Sequence, residues 1–221
     1  SIKLTDTGSL ASNVSMSGGT TLDADNTLTV SGALTQSGDI TIDVLDNKTL
    51  NYSGESLILG TNTLIMKGGG SFYNSNNLAL SSGSILKLDG IEKVEKVYIS
   101  DNLSFIDVDQ DATIKTFLPY NSSSIDIADS KSLELTDSFE VLQDQILELK
   151  GTGGGTLNVA DILTISGVLQ LSAPNSLIDV GTLRFSNGSL EVVENATISS
   201  AIVLADNASM EIANGKKLNV T

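Results

Sequence analysis

Apolar-x-apolar triplets recur along this 221-residue chain about every 20 to 22 residues. One round reads Leu157-Asn158-Val159, Leu163-Thr164-Ile165 and Leu169-Gln170-Leu171. The next reads Ile178-Asp179-Val180, Leu183-Arg184-Phe185 and Leu190-Glu191-Val192. Side chains two apart on a strand share a face, so each triplet is a minimal strand with an inward pair and an outward middle residue. Three such strands per round, repeated in register, mark a solenoid. The expected fold is all-β: one continuous single-stranded parallel β-helix (β-solenoid) over 1–221. It should have about 10–11 coils of ~20–22 residues, with three short strands per coil. Coils stacked ~4.8 Å apart give a rod of roughly 50 Å.

Specific registers follow. Leu28, Leu50, Phe72 and Val94 are spaced to stack, as are Leu64-Ile65-Met66 on Leu86-Lys87-Leu88. Ile178, Ile198 and Leu218 are expected one above another. Corners carry residues that tolerate left-handed backbone and bond their own main chain, as in Asp46-Asn47, Ser82-Gly83 and Asn187-Gly188. Pro occurs only at 119 and 174, as expected when every strand donates to its neighbours. The stretch 91–121 breaks the rhythm. It holds Lys93-Val94-Glu95-Lys96, Pro119 and the aromatics Tyr98, Phe105, Phe117 and Tyr120. It reads as an extruded loop that meets a partner, or as a longer coil with an irregular corner packed by its own aromatics. The chain begins at Ser1, and strand-like triplets stand at both ends. The expectation is a segment of a longer protein, or a subunit whose ends neighbours cover.

Asp25-Asn26-Thr27-Leu28-Thr29-Val30, Asn187-Gly188-Ser189-Leu190-Glu191-Val192 and Asn214-Gly215-Lys216-Lys217-Leu218-Asn219-Val220 share one corner-then-strand pattern. In this, the chain resembles the parallel β-helix passenger and stalk regions of bacterial surface adhesins of the autotransporter and filamentous-haemagglutinin type. The resemblance implies an exported rod, extracellular or at a prokaryotic cell surface, that projects binding sites. It implies no individual functional residue.

Composition narrows the chemistry. Net charge is −15, so nucleic acid is not an expected partner, and docking on anionic lipid is disfavoured. No apolar stretch has the length of a membrane-spanning helix. There is no His, no Cys and a single arginine, Arg184. That removes Ser/His/Asp and Cys/His nucleophilic sites, and the commonest zinc ligands. Two carboxylates suffice for glycoside hydrolysis, but among 27 acidic residues some pair always meets the distance. No enzyme is expected, and no catalytic, cofactor-binding or metal residue is assigned.

Two acidic patterns stand out. Asp107-Val108-Asp109-Gln110-Asp111 begins like a calcium loop, but Ala112 replaces the required glycine and Leu118 the closing glutamate. It reads as a calcium site or as a strand edge whose alternate aspartates face water. An outward column is expected from Asp126, Glu148, Gln170, Glu191 and Glu211. It reads as a cation-binding strip, a dock for a basic partner, or a solvated face that blocks lateral aggregation. Nine Asn-x-Ser/Thr sequons, at Asn13, Asn47, Asn51, Asn102, Asn121, Asn187, Asn195, Asn207 and Asn219, read as glycan acceptors or as corner residues.

The expected function is a non-enzymatic structural or adhesive module, a rigid stalk or filament segment. Its expected partners are a surface glycan or protein, or copies of itself. The alternatives are a carbohydrate-binding or carbohydrate-degrading β-helix of the tailspike and polysaccharidase kind, and an extracellular filament or surface-layer subunit that assembles end to end.

Overall fold

The computed structural model describes residues 1–5, 7–205 and 207–221. Among them the chain is all strand and turn, with no helix, and winds as a parallel β-solenoid of about ten turns. The first sheet stacks eleven strands, from Ile2–Leu4 to Ser209–Ile212. The second has fourteen, because strands of the third face join it. Near the N-terminus the third face is separate, as Val14–Ser17 on Leu34–Ser37. Further on, second and third faces fuse into single bent strands, Lys93–Ile99, Ala112–Pro119, Thr156–Ile165 and Ser176–Ser186. The coil holding Ser132–Leu135 and Phe139–Val141 is an exception, since its strand breaks between the two.

The inward pairs fill a continuous aliphatic shaft. Leu22, Ile42, Leu50, Leu64, Leu86 and Leu169 are fully buried. Leu28 registers with Leu50, Leu50 with Phe72 and Phe72 with Val94. Leu64 registers with Leu86. Each buried Leu removes enough apolar surface to contribute about 1.5–3 kcal/mol, so the shaft is the main source of cohesion. Inside, the Leu34 N–H donates to the buried Tyr52 hydroxyl at 3.1 Å, whereas the buried Ser123 and Ser176 hydroxyls have no hydrogen-bond partner among the described residues.

Coil length varies more than expected. Ile106 to Ile125 spans 19 residues and Ile125 to Leu149 spans 24. The longer step is a two-residue slip. Ile125 and Ile127 do not stack on Leu147 and Leu149; Ile125 stacks on Leu149, and the buried Ser123 stands level with Leu147. A second slip corrects another expectation: Ile198 registers with Val220, and Leu218 with Ala196. A slip of two leaves every side chain on its own face, so alternation cannot detect it.

The slip coil turns through a glycine run, Gly151 and 153–155. A Cβ on Gly155 would stand 2.5 Å from the Ile127 side chain, so only glycine lets these coils close. A matching corner precedes it at 68–70. Lys67 registers with Asp43, as Lys150 does with Asp126, and each lysine opens a glycine run. The segment 91–121 winds with the rest. Lys93–Ile99 pairs with Ala112–Pro119 from Lys93 to Ile99, and Phe105–Val108 lies in the first sheet. Its coils are short rather than long, and no loop is extruded there.

Candidate functional site

On the third face a cleft of about 510 Å³ is lined by three successive coils. Its cause is local. On this face inward-pointing residues donate forward to the next coil: Val14 N–H to Ala33 O at 2.8 Å, Leu57 to Asn77 O and Leu59 to Ala79 O, both at 3.0 Å. Pro119 occupies the same column as Leu59, through Leu80 and Ile99. Proline has no N–H, so the forward bond that Leu59 makes has no counterpart at Pro119. The next strand, Phe139–Val141, accordingly pairs forward with Thr156–Ile165, and no ladder joins it to 117–119.

Phe117 and Phe139 form the floor, edge to face with ring centroids 5.3 Å apart. Leu118, Pro119 and Tyr120 make one lip, and the Tyr120 ring leans on Tyr98 at 4.9 Å. Leu142 and Ile162 make the other lip. Ser138, Glu140 and Thr164 supply the polar wall. Their hydrogen-bonding capacity is partly spent: Ser138 Oγ donates to Asp161 at 2.6 Å and accepts from Ile162 N at 3.3 Å. Glu140 Oε1 accepts from Ser166 Oγ at 2.5 Å. Glu140 and Asp161 make no ion pair among the described residues. Arg184 lies one coil beyond Thr164.

The two acidic patterns resolve differently. Lys87 Nζ holds Asp109 at 2.5 Å and Asp107 at 3.4 Å. Asp111 turns to the second sheet, accepting from Ser132 N at 2.8 Å and Ser132 Oγ at 3.1 Å. The three aspartates of 107–111 therefore do not converge, and among the described residues no three carboxylates gather at one point. The outward column runs Glu148, Gln170, Glu191, Glu211, with Gln170 Nε2 donating to Glu191 at 3.0 Å. Asp126 leaves that column, because the two-residue slip sets it against Lys150, with Asp107 on its other side. Burial, then the Asp107 charge, push its carboxyl above the ordinary range against the opposing pull of Lys150. Lys150 also caps the Phe105 ring at 3.6 Å.

Several sequon asparagines are corner fixtures. Asn47 and Asn187 take left-handed backbone, φ 58° and 60°. Asn13 and Asn195 Oδ1 each accept a main-chain N–H from the next coil at 2.9 Å. Asn121 Nδ2 donates to Ser100 O.

Sequence reasoning reached one lip of the cleft, through the aromatic and proline cluster at 117–120. It missed Phe139, Glu140, Leu142 and Ile162, although Phe117 and Phe139 stand one coil period apart. Compared with protein-family models, curated proteins and solved structures, the chain matches none.

Proposed function

We propose that this chain is a non-enzymatic structural module, a rigid segment of an exported cell-surface protein that carries a binding face along its side. The observation that supports it best is the uninterrupted first sheet, eleven parallel strands in register from one end to the other. Each step adds main-chain hydrogen bonds and a layer of buried aliphatics, so bending the rod means breaking both. An acidic exterior suits this role, since a net charge of −15 keeps β-rich rods apart. The cleft is lined mainly by apolar groups, and Lys87 holds Asp107 and Asp109. A prokaryotic surface setting rests on the resemblance of the repeat to adhesin stalks.

The test joins shape with turnover. Small-angle scattering should report an elongated particle roughly 50 Å long. Assays on a panel of bacterial and host polysaccharides should show no cleavage. Turnover that disappears on changing one carboxylate, such as Glu140→Gln, sinks the structural reading.

A further inference from the structure

We propose that the third-face cleft binds an extended, cationic and apolar peptide segment of a partner protein, which rests on the reading of the chain as a display rod. One aliphatic or aromatic side chain of the partner sits on the Phe117–Phe139 floor. Flanking lysine or arginine side chains meet Glu140 and Asp161 at the rim.

Three observations carry the choice of occupant. The lips expose apolar surface to water: Tyr120 is 56% exposed, Leu142 44% and Ile162 39%. The wall offers few free hydrogen-bonding groups, since the Ser138 hydroxyl and a Glu140 oxygen are already engaged. A sugar ring needs several such groups, whereas an apolar side chain needs none. Glu140 in the wall and Asp161, which neighbours Ile162 and is bonded by Ser138, accept side-chain bonds from serine hydroxyls and make no ion pair among the described residues. A cationic partner complements them. A second copy of this chain, itself at −15, is repelled.

The probe is an acetylated, amidated hexapeptide alternating lysine and leucine, titrated calorimetrically into the whole chain at low salt. The expected result is saturable one-to-one binding that weakens as salt rises. Ile162→Asp removes apolar lip and adds negative charge. It should weaken binding roughly tenfold, the effect of losing about one aliphatic contact surface. Glu140→Gln should weaken it about threefold. Both positions are exposed, so folding is preserved, and circular dichroism checks it.

Binding that is unchanged or tighter in Ile162→Asp means attraction to the acidic surface at large, and overturns the proposal. Absence of saturation up to about 1 mM peptide overturns it too. So does a glycan that binds the parent and loses binding in Ile162→Asp, which reassigns the cleft to carbohydrate. A dimer in sedimentation that Ile162→Asp dissolves reassigns it to self-contact. Scattering on the same samples keeps the two readings apart. A rod that ignores the peptide sinks only the cleft assignment, and a compact particle sinks the rod.

Discussion

Asp101 and Asp126 are both partly buried carboxylates, yet their surroundings drive them in opposite directions. Burial pushes Asp101 up, but four donors outweigh it: the N–H groups of Leu103 at 2.8 Å, Ser104 at 2.7 Å and Gly83 at 3.3 Å, and the Ser104 hydroxyl at 3.1 Å. Its folded pKa is depressed, so its contribution to stability is present above the unfolded aspartate value near 4 and fades as pH falls through the folded one. Asp126 is the reverse case. Burial and Asp107 raise its folded pKa, so the native state favours the proton. That contribution is complete below the unfolded value and is lost as pH rises through the folded one. Two substitutions separate the signs. Asp101→Asn should lower the melting temperature at pH 7, by the few degrees that about 1 kcal/mol gives, with the deficit shrinking toward pH 3. Asp126→Asn should raise the melting temperature at pH 7 and lose that advantage at pH 3. Melts in which both variants respond alike to pH would show that these surroundings have been misread. Asp126 also shows where sequence alone runs out. Its apparent neighbour at one coil period is Glu148, but the chain slips two residues, and Lys150 stands there instead.

At the scale of strands and corners, sequence spacing discloses some features and is blind to others for definite reasons. The ladder Leu28, Leu50, Phe72, Val94 is legible because equal spacing and apolar identity agree. The slips after Ile127 and Ile198 are not, since a shift of two preserves the inward set. The slip after Ile127 leaves one trace, the glycine run at 151 and 153–155, and a similar run recurs at 68–70 after another lysine that registers with an aspartate. The cleft is half legible. Pro119 in a strand announces a missing donor, but which neighbour loses the bond depends on which way the absent N–H would have pointed. Leu59, in the same column, shows it to be the following coil. Pro119→Val restores a donor aimed at Phe139–Val141 and fits a strand end whose flanking residues are already extended. The expected outcome is partial closure of the cleft, with slowed hydrogen exchange at 117–120 and 139–142 and weakened binding of the lysine–leucine peptide. Unchanged exchange in both segments would mean that proline is not what keeps the coils apart.

Over the whole molecule, winding makes stability nearly one-dimensional. Each coil touches the coil before it and the coil after, as the register of the first sheet shows throughout. A defect should therefore be felt by its neighbours and little beyond them. Leu86 tests this, being fully buried and stacked between Leu64 and Ile106. Leu86→Ala removes about three carbons' worth of contact from a packed shaft and should cost about 2–5 kcal/mol. In a compact domain of one cooperative unit, that loss would lower protection of every slowly exchanging amide by the same amount. In the solenoid, openings of a few coils cost less than unwinding the rod, so the loss should concentrate near the defect. Native-state hydrogen exchange should show strands Thr63–Lys67, Ile85–Asp89 and Phe105–Val108 exchanging faster. Strands Val168–Leu171 and Ser189–Val192, several coils away, should keep their parent rates. An equal drop at both places would mean that coupling between coils exceeds the cost of the cavity. The rod would then open as a single unit, and its stiffness would derive from global cooperativity rather than from summed neighbour contacts.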